Sequence, residues 1–245
     1  MATNDFLALI AEHYGRLRAF AGAFLRERKA TVDFLRRSAR DLQEAFPRSL
    51  GSAGFPAWAR RRLAAGLRTP HDPLRRPEIL EILADAFERR RDPRPDRQDI
   101  LDAAIQSLSQ DAQPVLTARY ENDLPLETVA WRFRTTPETA MGVLARIRRL
   151  LLKALHGPAP EALLRPGELL QRHLEGMNGP KEAEELASRL RRDPAVADAF
   201  ADAALLDADL AEYFGLDPDA PDEGASLAVK LGDRPRRTRR VTRRT

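Results

Sequence analysis

Apolar residues along this chain recur at spacings of three and four, and no stretch alternates Val, Ile, Thr and aromatic residues over several positions. That is the period of a helix and not of a strand. The pattern predicts an all-α protein. Phe6, Ile10, Leu17, Phe20 and Phe24 share one face of a first helix that Asn4 is placed to cap, and Val32, Leu35, Ala39 and Leu42 share a face of a second. "PRSLGSAGFP" breaks the run with Pro and Gly, after which "AWARRRLAAGL" resumes as a helix. Pro77 then opens a helix bearing Ile79, Ile82, Leu83 and Phe87. The charged, proline-containing stretch "RRRDPRPD" cannot continue it, so a first domain is expected over residues 1–90 with a linker at 91–97.

A second block, residues 98–156, carries one helical face with Ile100, Ala104, Ile105 and Leu108, then a helix through Val115, Leu116 and Tyr120 that Asp111 can cap. "HGPAPEALLRPG" marks a second linker, 157–166. Residues 167–214 predict three more helices, the second opened by Pro180 and the third by an Asp193 cap with Pro194 at its first position. Residues 215–245 lose periodicity and end in "RPRRTRRVTRRT", so a disordered basic tail is expected there. Such a tail suits non-specific phosphate contacts or simple solvation.

The most informative stretch is "PLETVAWRFRTTPETAMGVLARIRRLL", residues 125–151. Leu126, Val129, Ala130 and Phe133 lie on one side of a short helix, and Ala140, Leu144, Ile147 and Leu151 on one side of the next. Thr136 stands as N-cap, Pro137 at the first helical position and Glu138 beside the positive end of the helix dipole. The small Ala130 allows close approach, while Arg146, Arg149 and Lys153 face outward. This is the layout of a helix-turn-helix whose second helix enters a major groove. Periodicity alone fits two ordinary core helices equally well.

Charge divides the chain. Residues 1–165 have 28 Lys and Arg against 21 Asp and Glu, residues 166–223 have 5 against 15, and residues 224–245 have 8 against 1. An acidic segment between two basic ones suits a nucleic-acid-binding body joined to a part that competes for its basic surface. The absence of cysteine removes disulfides, thiol catalysis and Cys-based zinc sites. His13, His71, His156 and His173 lack metal-ligand spacing, and there is no phosphate loop, nucleophile elbow or carboxylate pair in a pocket-like pattern. No metal, cofactor, catalytic residue or enzymatic activity is expected. Without an apolar run of about 18 residues or a signal peptide, the expectation is a soluble cytoplasmic protein with no membrane contact.

Residues 101–155 resemble region 4 of sigma-70 family RNA polymerase sigma factors without a gap. Arg119-Tyr120 match the family's "RY", Val129-Ala130 its "IA", Thr136 its capping Ser, and Leu144, Arg146 and Arg148 its "L.R.R". With Pro137, Ile147, Arg149 and Leu151 added, the likeness is to extracytoplasmic-function factors of planctomycete and verrucomicrobial type. The first block is similar to region 2 in Leu9, His13, Leu17, Ala19, Phe20 and in "GFPAWARRRLA". Asp33 holds an acidic position of that family, whereas Arg36 and Arg37 replace a Gln and an acid. Residues 167–214 resemble the N-termini of FecR-like anti-sigma regulators in Leu174, Gly176, Glu185, Leu190, Asp193, Pro194, Phe200, Leu206 and Leu210.

These resemblances imply a factor that brings core RNA polymerase to promoter DNA. They put Thr135, Thr136, Glu138, Thr139, Met141 and Gly142 at the groove of a −35 element, with Arg146 and Arg149 on phosphates. Trp58, Arg61 and Arg62 fall near the −10 strand-opening surface, though Trp58 also fits as a core anchor. Asp33, Arg36 and Arg37 correspond to the polymerase contact. The acidic segment, 167–214, is expected to touch the sigma-like body and restrain it, and a separate anti-sigma factor is a further partner the likeness allows. Two other readings stay open: a DNA-binding repressor that works without polymerase, and a helical protein-interaction module that has lost DNA.

Overall fold

The computed structural model describes residues 2–47, 49–90, 97–122, 124–157 and 169–214. Among them every regular element is helical, as the periodicity predicts. Both predicted linkers fall almost wholly outside the described residues, and the basic tail, 215–245, lies entirely outside them. The first block contains α1 (Ala2–Leu25), α2 (Arg28–Ala45), α3 (Phe55–Leu67) and α4 (Pro77–Arg89), with 3-10 turns at Ser52–Gly54 and Pro73–Arg75. The second contains α5 (Arg97–Gln106), α6 (Ala112–Tyr120), α7 (Leu126–Arg132) and α8 (Pro137–His156). The acidic segment supplies α9 (Leu169–Leu174), α10 (Pro180–Arg192) and α11 (Pro194–Tyr213). No helix among the described residues is long and apolar enough to cross a membrane.

The predicted faces do the packing. Phe6, Ile10, Leu17, Phe20 and Phe24 of α1 are all buried, as are Val32, Leu35, Ala39 and Leu42 of α2. The expected cap Asp193 accepts the N–H of Ala195 at 2.9 Å, and Asp72 likewise accepts that of Leu74 at 3.0 Å ahead of a 3-10 turn, which satisfies donors that a helix start leaves without partners. Two expected caps differ. Helix α1 already begins at Ala2, so Asn4 sits inside its first turn. Asp111 occupies the cap position of α6 but its side chain makes no capping bond.

The acidic segment does not stand apart as a bundle of its own. Helix α11 runs between α1 and α4 and also touches α8, so one continuous core takes residues from all three stretches. Its sequence explains the position. Ala197, Ala199, Ala201, Ala203 and Ala204 let neighbouring backbones approach on several sides, while Phe200, Leu206 and Leu210 fill the remaining space with no exposure. The helix is buried over most of its circumference, and its remaining stripe, Asp198, Asp202 and Asp209, faces Arg89, Arg90 and Arg97. Phe200 meets Phe24 of α1 and the ring of His173 at centroid distances of 6.1 and 5.6 Å.

The charge division explains the docking. Glu184 meets Arg76, Asp198 meets Arg89 and Asp209 meets Arg97, with N–O distances of 2.8, 2.7 and 2.6 Å. Each pair joins the acidic segment to a basic residue of the preceding blocks. The Arg76–Glu184 and Arg89–Asp198 pairs are exposed to solvent and contribute at most about 1 kcal/mol each, whereas Arg97–Asp209 is half-buried. They orient α10 and α11, and the apolar contacts of α11 supply most of the attraction.

Candidate nucleic-acid interface

The two helices of the 125–151 stretch form as a tight unit. Leu126, Val129 and Ala130 of α7 and Ala140 and Leu144 of α8 are buried. The turn between them is pinned by backbone bonds from Arg134 to Trp131 at 3.1 Å and from Thr135 to Ala130 at 2.9 Å. Arg134 adopts a left-handed backbone, φ 52°, which lets the chain reverse so sharply. Thr136 then takes an extended conformation, and its hydroxyl accepts the N–H of Thr139 at 3.2 Å. Pro137 and Glu138 occupy the first turn as the sequence predicts. The unit is therefore a capped helix-turn-helix.

The outer face of α8 carries Glu138, Thr139 and Arg146, all exposed, with Gly142 and Arg149 half-buried and Lys153 exposed beyond them. A side-chain carbon added at Gly142 would meet nothing within 4 Å. The glycine thus leaves an open notch rather than serving internal packing. Thr135 is half-buried and Thr136 exposed at the turn. Met141 departs from expectation. It is 3% exposed, turned into the core beside Ala140 and Leu144, and so cannot meet a base edge. Hydroxyls at the N-terminal edge and cations further along suit phosphate contacts, with few strong donors for base edges.

Sequence reasoning passed over Trp131, whose side chain is 80% exposed at the turn beside exposed Arg132 and Arg134. The signal was present, because Trp131 falls outside the Leu126, Val129, Ala130 face of α7. An exposed indole among cations can lie against a sugar-phosphate strand.

Arg148 has a different surrounding. It is 1% exposed and donates to the Tyr120 hydroxyl at 2.8 Å, to Asp207 of α11 at 3.0 Å, to Gln171 of α9 at 3.2 Å, and to Glu175. Burial works to lower its pKa, but the Tyr120 hydroxyl and the Glu175 and Asp207 carboxylates raise it by more. The guanidinium remains charged and ties the second block to the acidic segment. The same burial pushes the Tyr120 hydroxyl well above the ordinary tyrosine value, so it stays neutral, donating to Asp207 and accepting from Arg148.

The other expected site residues form separate groups. Asp33 and Arg36 lie 3.8 Å apart on the outer side of α2 with Arg37 exposed beside them. On α3, Trp58 packs against Phe46 and Phe55 at 5.7 and 5.9 Å, the anchoring position that the sequence also allowed. Arg62 is exposed, and Arg61 reaches Asp85 at 3.5 Å. Neighbouring Arg60 is buried against Glu88. The chain matches no protein family, no curated protein and no solved structure.

Proposed function

We propose that this protein is a sigma-type factor that recruits core RNA polymerase to promoter DNA, with the α7–α8 unit docking in a −35 major groove. The observation that carries the reading is the capped turn with the outer face of α8 left uncovered by the acidic segment. Thr136, Glu138, Thr139 and Gly142 lie at the groove, with Thr135 at its edge. Arg146, Arg149 and Lys153 meet phosphates, and the exposed Trp131 lies against the sugar-phosphate strand. With Met141 withdrawn, sequence preference comes more from DNA shape than from hydrogen bonds to bases. In this reading Arg61 and Arg62 of α3 stand by the −10 strand, and α2 contacts the polymerase. Helices α9 to α11 act as a built-in restraint. They leave the reading face open and instead fix the first two blocks in one arrangement, which a factor spanning two promoter elements must change.

In vitro transcription with core polymerase on a pool of genomic promoters tests the proposal. Defined run-off transcripts that core polymerase alone does not make are expected. Their absence would favour a second reading, a DNA-binding repressor that works without polymerase, which the exposed Arg36 and Arg37 support because they replace the Gln and acid of the resembling family. Failure to co-purify with core polymerase would select that second reading.

A further inference from the structure

Helices α5, α6 and α8 leave an open groove of about 1000 Å³ between them. Its wall is apolar along its length, with Ile100 and Ala104 from α5, Val115 from α6, and Ile147 and Leu150 from α8. Ile100 and Ala104 are half-buried. Leu150 is 49% exposed, and with Trp131 it is one of two large hydrophobic side chains left exposed among the described residues. Asp111 and Arg146, both exposed, stand on the rim. An apolar groove with a polar rim is suited to receiving a segment of apolar chain.

The chain itself leads to this groove. At the end of α11 the Tyr213 hydroxyl donates to Asp102 of α5 at 2.6 Å, so the chain passes beyond Phe214 beside a helix that forms one wall. The next stretch, "GLDPDAPDEG", combines acids with two prolines, the composition of a spacer. It is followed by "ASLAVKL", residues 225–231, where Leu227, Val229 and Leu231 form the densest apolar group of residues 215–245. Leu227 and Leu231 are spaced to share a side in a helix and in a strand alike. From Phe214 to Leu227 the chain reaches about 40 Å at full extension, which is ample to cross a helix roughly 10 Å wide. Lys230 and Asp233 flank Leu231 with charges opposite to those of Asp111 and Arg146 on the rim.

We infer that residues 225–231 of this same chain dock in the α5–α6–α8 groove and cover its apolar wall. Docking removes Leu227 and Leu231 from water together with Leu150 and Ile100. The tether from α11 keeps the effective concentration high, so no second molecule is needed. Anchored there, the arginine run that begins at Arg234 is held beside Arg146 and adds phosphate contacts to the outer face of α8. That consequence rests on the DNA-binding reading, whereas the docking does not.

Amide hydrogen exchange of the full chain, read by mass spectrometry, provides the test. Amides of residues 227–231 should exchange at least about tenfold more slowly than in a synthetic peptide of residues 222–233, and to the same extent at low and high protein concentration. Leu150→Asp in the groove wall and Leu227→Asp in the docking segment should each abolish that protection. Ala65→Asp, at an exposed position of α3 outside the groove, should leave it intact. Exchange as fast as in the peptide, protection that survives either Leu150→Asp or Leu227→Asp, or an equal loss in Ala65→Asp would overturn the inference. So would protection that appears only at high concentration, which would make a second copy the occupant. If Leu150→Asp does not fold, the wild-type comparison and Leu227→Asp still decide, because Leu227 lies outside the described core.

Discussion

Arg146 and Arg148 stand two residues apart on α8 and meet opposite surroundings. Two residues rotate a helix by about 200°, so one guanidinium points to solvent and the other into the seam with α9 and α11. Arg148 is fully buried among Tyr120, Gln171, Glu175 and Asp207, whereas Arg146 is exposed. A basic run is thus two different things. Its outer members can serve a polyanion, and its inner member is committed to holding the acidic segment in place.

The contrast predicts its largest effect at Arg148. Arg148→Ala leaves half-buried Asp207 without its cation and leaves buried Glu175 only Arg119, and urea denaturation should show a loss of about 3–5 kcal/mol. Arg146→Ala should change stability by no more than about 0.5 kcal/mol. Adding Asp207→Asn to an Arg148→Met chain should recover part of the loss, because that cation and its carboxylate are then removed together while Glu175 keeps Arg119. Equal destabilisation by Arg146→Ala and Arg148→Ala would erase the distinction between the faces.

A smaller effect sharpens the account of the docked segment. His173 is buried between α1 and Phe200, and burial, with Arg26 beside it, pushes its pKa down to about 4. Its stabilising contribution is complete above the ordinary histidine value near 6.5 and is lost as pH falls toward 4. Asp202 has the opposite sign. Burial pushes it up to about 6 despite Arg90, so the folded state gains stability as pH falls through 6 toward 3.8. The two trends offset each other in the wild type. Asp202→Asn removes the gain, and its unfolding free energy should drop by about 2 kcal/mol between pH 7 and pH 5. Replacing His173 by Gln in that background should flatten the curve, and a persisting drop would count against His173 as its source.

What could be read from the sequence was local. The Thr136-Pro137-Glu138 cap and the Asp193-Pro194 start depend on neighbours in the chain, and both formed as expected. Met141 depended on what lies across space. A helix packed on one neighbour buries a narrow stripe, but α8 meets α5, α6 and α7 on one side and α9 and α11 on another. Its buried face is therefore wide enough to include Met141 and Arg148. The position of α11 was hidden for the same reason: its alanines announce a helix without saying what surrounds it. The acid-base division did foreshadow the Arg76, Arg89 and Arg97 pairs, although only three-dimensional packing selects which carboxylate meets which arginine.

The smallest predicted change is also the most direct test of the central claim, that the outer face of α8 is a DNA-binding surface separate from the inner seam. Binding to a promoter duplex should be measured by fluorescence anisotropy across a series of salt concentrations for wild type and Arg146→Ala. The account predicts weaker binding for all sequences alike, a plot of log affinity against log salt shallower by about one unit, and an unchanged unfolding midpoint. Identical affinity and identical salt dependence in the two proteins would contradict it.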